Sequence, residues 1–112
     1  MKPTHLLLAT ALLLSSPALA QTTPTAYEFL TVAECQSYQA SASKVLFAPA
    51  FQGKTEVALA DLPAGNKFLA VYRQNLEVVN QQLADVTAAG WELVNVSTIE
   101  RAHEYLFRRA KK

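Results

Sequence analysis

From Leu69 to Val86 the apolar residues Leu69, Tyr72, Leu76, Val79, Leu83 and Val86 recur at alternating spacings of three and four. A helix collects that spacing onto one stripe, so the chain must contain a helix with one long side to bury. Gln74, Asn80, Gln81 and Asp85 fall largely on its solvent side. Gly90 follows Ala88-Ala89 at the place where a left-handed residue ends a helix. The start has two candidates: Asn66 would cap a helix of about 23 residues, and Asn75 a shorter one. The stripe holds its phase from Leu69 onward, which favours the longer version. Leu62-Pro63-Ala64-Gly65-Asn66 breaks the chain just before it.

A single amphipathic helix needs a partner layer, and the flanking segments supply strands. Tyr27 to Val32 is rich in aromatic and β-branched residues, with Tyr27, Phe29 and Thr31 on one face and Leu30 and Val32 on the other. Apolar residues on both faces predict a central strand. Gln36 to Ser43 reads as a polar loop. Lys44 to Ala48 is a second strand, stopped by Pro49. Phe51 to Lys54 is a turn, after which Thr55 to Leu59 can add an edge strand. Beyond the helix, Trp91 to Ser97 and Glu104 to Arg109 form a hairpin in which Tyr105 and Phe107 share a face. The expected fold is α+β: about four antiparallel strands with one long helix on one face, in the order β-β-α-β-β.

The N-terminus has the grammar of a secretory signal peptide. Lys2 gives a positive start, Leu6 to Leu14 an apolar run, and Ala18-Leu19-Ala20 a small-residue cleavage site. The run falls short of the roughly 20 residues that span a bilayer. The expected organisation is a cleavable signal peptide at 1–20, a disordered lead-in at 21–26, one domain at 27–109 and a basic tail at 110–112. Without Lys2, nine Lys or Arg balance nine Asp or Glu. That balance argues against nucleic acid or an anionic membrane as partner. No second apolar stretch approaches spanning length, so the mature chain is expected to be exported, periplasmic or secreted.

Three short segments carry a resemblance. Tyr27-Glu28-Phe29, Gly90-Trp91-Glu92-Leu93-Val94 and Tyr105-Leu106-Phe107-Arg108-Arg109 are similar to the opening strand, post-helix signature and closing strand of a family of small bacterial proteins known only as a domain of unknown function. The resemblance covers most of residues 27–109 and is least between Cys35 and Asn66. It implies the fold and brings no activity, cofactor or catalytic residue.

The candidate functional residues are few. Cys35 is the only cysteine, so an exported form has no internal disulfide, and the thiol is either a small buried side chain, an intermolecular disulfide or a reactive group. His103 is the only histidine outside the signal segment. Glu100 and Glu104 flank it, which is weak evidence for a metal against an ordinary turn residue. Arg108, Arg109, Lys111 and Lys112 end the chain in charge, with no basic stripe elsewhere to make a phosphate-binding surface. Tyr27, Phe29, Trp91, Tyr105 and Phe107 fall on strands expected to be neighbours. If the helix covers them they are core, and if it covers the opposite face they form an exposed patch, the mark of a partner or ligand surface. With no catalytic constellation, metal set or cofactor motif, the expected role is non-catalytic. A protein-interaction or homo-oligomerisation module using Cys35 or the aromatic residues comes first. A small-ligand binder with a helix–sheet crevice is the alternative.

Overall fold

Alternation along strand β1 (Tyr27–Cys35) sets the two faces of the domain. Leu30, Val32 and Glu34 turn inward and are buried, while Tyr27, Phe29, Thr31, Ala33 and Cys35 turn the other way. The computed structural model describes residues 25–39 and 41–112. The expected signal peptide and residues 21–24 of the lead-in lie outside them.

Strand β2 (Lys44–Phe51) and β3 (Lys54–Ala58) form one hairpin, and β4 (Glu92–Ile99) and β5 (Ala102–Ala110) the other. All neighbours are antiparallel, in the order β3-β2-β1-β5-β4, so β1 is the central strand. The architecture is α+β as expected, but with five strands, β-β-β-α-β-β, rather than four. The fifth is β3, at the edge where Thr55 to Leu59 could add a strand, and β2 also runs on past Pro49. β2 runs through it because its registered pairing with β1 ends at Ala48, and its pairing with β3 shifts between Leu46 and Phe51. A missing N–H at Pro49 therefore removes no registered ladder partner. Gln52 and Gly53 both take positive φ, 50° and 81°, and close the β2–β3 hairpin in two residues. The second hairpin is also tighter than the expected Ser97–His103 connection. Glu100 adopts φ 53° and the turn is Glu100-Arg101 alone.

A single 3-10 turn, Gly65–Lys67, leads into helix α1 (Phe68–Ala88). The long helix is therefore present, but Asn66 lies in the turn and the N-cap position is Lys67, with no side-chain cap. At the other end Gly90 has φ +95°. The Gly90 N–H donates to Thr87 O at 3.0 Å and the Trp91 N–H to Val86 O at 3.4 Å. These are the two bonds of a Schellman cap.

The helix is rotated relative to the expected stripe. The residues buried along it are Asn75, Val79, Gln82 and Val86, whereas Leu69 is 72% exposed. Two polar side chains set this angle. Asn75 Oδ1 accepts from Ala60 N at 3.0 Å, and its Nδ2 donates to Ala60 O at 2.7 Å and to Gln36 Oε1 at 2.9 Å. Gln82 Oε1 accepts from Lys54 Nζ at 3.0 Å. Both draw one flank of the helix toward the β3 side. On the other flank Tyr72 faces Tyr105 of β5 and Leu83 packs against the core. The core beneath comprises Leu30, Val32, Val45, Phe47, Phe51, Leu59, Val79, Val86 and Phe107.

Candidate functional site

The three family-like segments meet at one end of the sheet, where β1 pairs with β5 and β5 with β4. Adjacent residues in each segment point to opposite faces, so the meeting builds two clusters back to back. On the face away from the helix, the Arg108 guanidinium lies 4.3 Å from the Tyr27 ring centre, and its Nε donates to Glu92 Oε1 at 2.8 Å. On the helix face, the Arg109 guanidinium lies 4.3 Å from the Trp91 ring, donates to Glu28 Oε2 at 3.0 Å and to Ala89 O at 3.1 Å. Arg109 thus places a cation on the last carbonyls of α1, where the helix dipole favours it. Arg108 and Arg109 are partnered residues of β5, and the basic tail proper begins after them.

The aromatic group does not form one patch. Leu30 is the register partner of Phe107, and Val32 that of Tyr105. Phe107 and Tyr105 therefore face the helix with them, while Tyr27 and Phe29 occupy the other side. Phe107 is core, Tyr105 and Trp91 are half-buried, and Phe29 is 52% exposed. The register of a central strand divides the group between the core and the opposite face.

The face away from the helix is continuous across β2, β1, β5 and β4, and no element among the described residues covers it. Its rows, taken from the pairing register, include Ala48-Thr31-Leu106-Asn95, Leu46-Ala33-Glu104-Ser97 and Lys44-Cys35-Ala102-Ile99. At the centre, Thr31, Ala33 and Cys35 of β1 stand beside Leu106, Glu104 and Ala102 of β5. Phe29, Leu46 and Ile99 stand exposed toward its margins. Tyr27, Phe29, Thr31, Ala33 and Cys35 bring no charge to the central strand, although a sheet face meant only for water usually carries polar residues. The nearby charges are partly neutralised in pairs, Lys44 with Glu56 at 3.2 Å and Arg108 with Glu92.

Cys35 lies on this face at the end of β1. It is a half-buried free thiol, neither sealed in the core nor fully exposed. With Ser37, Gln39, Ile99 and Arg101 it lines a shallow depression of about 420 Å³. His103 is a register partner of Glu34 and therefore faces the helix side, away from the thiol. The sheet separates the two groups that a cysteine nucleophile and its base would require.

His103 has neither flanking glutamate as its contact. Its Nδ1 lies 4.0 Å from Oε1 of Glu34. Among the described residues no three His, Cys, Asp or Glu side chains are grouped as metal ligands. Glu34 itself was not legible as a site residue. It is 5% exposed and accepts from Gln36 Nε2 at 2.7 Å and from the Tyr105 hydroxyl at 3.3 Å. Through Gln36 it connects to Asn75 and Ala60. One signal was available: Glu34 is in phase with Leu30 and Val32, which places a carboxylate on the buried side of β1.

Burial, and then the charge and hydrogen bond of Glu34, hold the Tyr105 phenol above its ordinary value of 10.0. The folded chain keeps that proton longer than the unfolded chain. The associated stability is fully present below about pH 10 and is lost as pH rises through the folded value. Denaturant titrations at rising alkaline pH should show the native chain losing stability relative to Tyr105→Phe. Parallel curves would contradict the linkage.

No helix among the described residues is long and apolar enough to cross a membrane. Set against protein-family models, curated proteins and solved structures, the chain matches none of them.

Proposed function

We propose that this chain is a non-catalytic protein-interaction or homo-oligomerisation module, exported to the periplasm or secreted after removal of residues 1–20. The observation that carries the reading is the sheet face away from the helix, on which β1 presents no charge and Phe29, Leu46 and Ile99 are exposed. The small residues Thr31, Ala33, Ala48 and Ala102 on this face let another protein surface approach the backbone closely. Exposed larger residues at its margins offer anchors for burial. Cys35 belongs to the same face, where an intermolecular disulfide with a partner is stereochemically open to it. The resemblance to the bacterial family is part of this proposal, since its three segments account for the end clusters and leave the broad face free.

A photoreactive phenylalanine analogue in place of Leu46 tests the reading in exporting cells. Adducts of discrete mass, to a second copy or to another protein, are the expected result. They should diminish when Phe29→Ser is added. Absence of adducts from Leu46, Phe29 and Ile99 alike would remove the interaction reading. The small-ligand alternative has its own support in a crevice of about 500 Å³ between α1 and the segment after β3, lined by residues including Leu59, Asn75, Val78 and Gln81. It predicts unchanged mass and a rise in Tm when the ligand is added.

A further inference from the structure

The register brings three polar side chains together on the helix side of β1 and β5. Glu34 stands directly opposite His103, and Tyr105 lies two residues beyond His103 on the same face of β5. Residues opposite one another on neighbouring strands have Cβ atoms about 5 Å apart, so their polar tips meet over a single point of the sheet.

Glu34 is the unusual member. Its side chain is 6% exposed, at the inner end of an apolar face. One carboxylate oxygen accepts from Gln36 Nε2 at 2.7 Å and the other from the Tyr105 hydroxyl at 3.3 Å. Both donors are neutral, so they satisfy the oxygens without balancing a charge. Buried charges are ordinarily paired or bound to a metal. Among the described residues no Lys or Arg pairs with Glu34. Its neighbour of the required kind is His103, whose Nδ1 lies 4.0 Å from Glu34 Oε1 and whose side chain is 47% exposed. That gap is too wide for a direct hydrogen bond.

We infer that Glu34 and His103 form a binding site for a divalent transition metal of the zinc class. The protein ligands are Glu34 Oε1 and His103 Nδ1, with water in the remaining positions. Zinc lies about 2.0–2.2 Å from an imidazole nitrogen or a carboxylate oxygen, which sets two such ligands on a tetrahedral ion about 3.3 Å apart. His103 closes that distance by moving less than about 1 Å, which a half-exposed ring beside the Glu100-Arg101 turn can do. Gln36 and Tyr105 grip the carboxylate from behind, the kind of outer contact that orients a metal ligand. One imidazole and one carboxylate suit zinc, copper or nickel, whereas calcium requires six or more oxygens. The site lies across the sheet from Cys35 and does not depend on the interaction reading.

His103 is the only histidine after residue 20, so the imidazole resonances of the untagged mature chain report on this residue alone. Titration with zinc chloride should shift them saturably and raise Tm, in the native chain and in Cys35→Ser alike. His103→Ala should lose the rise in Tm. Glu34→Gln should bind zinc at least tenfold more weakly, since removing a ligand costs no less than the roughly tenfold seen when an outer contact is lost. Three results would overturn the site: no saturable shift, native affinity in Glu34→Gln, or binding that disappears in Cys35→Ser. Cobalt(II) added to the native chain gives an answer even if Glu34→Gln does not fold. It should displace the Glu34 carboxyl resonance together with the His103 imidazole, and displacement of the imidazole alone overturns the proposal.

Discussion

Phe107→Ala should remove about 3–5 kcal/mol of stability, a large part of the 5–15 kcal/mol typical of a small domain. The ring is 2% exposed, opposite Leu30 in the register and surrounded by the core that α1 closes. Truncation would lose its transfer free energy and leave a cavity that a five-stranded sheet cannot easily collapse. The control is Phe29→Ala, in the same aromatic set but on the uncovered face, where a change within about 1 kcal/mol is expected. Urea unfolding of the two variants measures the difference as a shift in midpoint at constant slope. Similar losses for both would mean that the two sides of β1 are equally enclosed, and would remove the uncovered face from which the functional proposal starts.

Asn75→Ala should cost about 2–3 kcal/mol, more than its place on an otherwise amphipathic helix suggests. Asn75 is 2% exposed and satisfies both backbone groups of Ala60 as well as Gln36. Its removal takes from the Ala60 N–H and C=O the side chain that holds them against α1, and from Gln36 its partner. Asn75→Leu restores an apolar residue near the middle of the stripe and is expected to lose nearly as much, because it pairs with neither group. The exchange rate of the Ala60 amide separates this account from simple packing. A large rate increase in both variants is expected, and unchanged protection with an unchanged midpoint would show that the helix angle is set by something other than this side chain.

The gap between pattern and structure is instructive at particular residues. The period of Leu69, Tyr72, Leu76, Val79, Leu83 and Val86 located the helix but missed its rotation by part of a turn. Periodicity weighs apolar residues and treats Asn75 and Gln82 as solvent-facing by default, whereas both have partners contributed by distant segments. Pro49, lacking a donor, reads locally as a strand terminator. It lies within β2 only because neither neighbouring strand has a registered partner there, a property of the ladder and not of β2. Glu34 alternates in phase with Leu30 and Val32, and only its partners Gln36 and Tyr105 make that buried position tolerable for a carboxylate.

Local chemistry determined the features that need only near neighbours along the chain. The helix and its Gly90 end follow from spacing and a positive φ, the hairpins from turn residues between apolar runs, and the two faces of β1 from alternation. Tertiary structure alone decided which residues stand beside one another across strands. The register of β1 against β5 sent Phe107 into the core and left Phe29 outside it, and parted Cys35 from His103. It also aligned Arg108 with Tyr27 and Glu92, and Arg109 with Glu28 and Trp91. Strand order left β4 at an edge. Register and order are set by packing and hydrogen bonds between segments far apart in the chain, and no local pattern records that free energy.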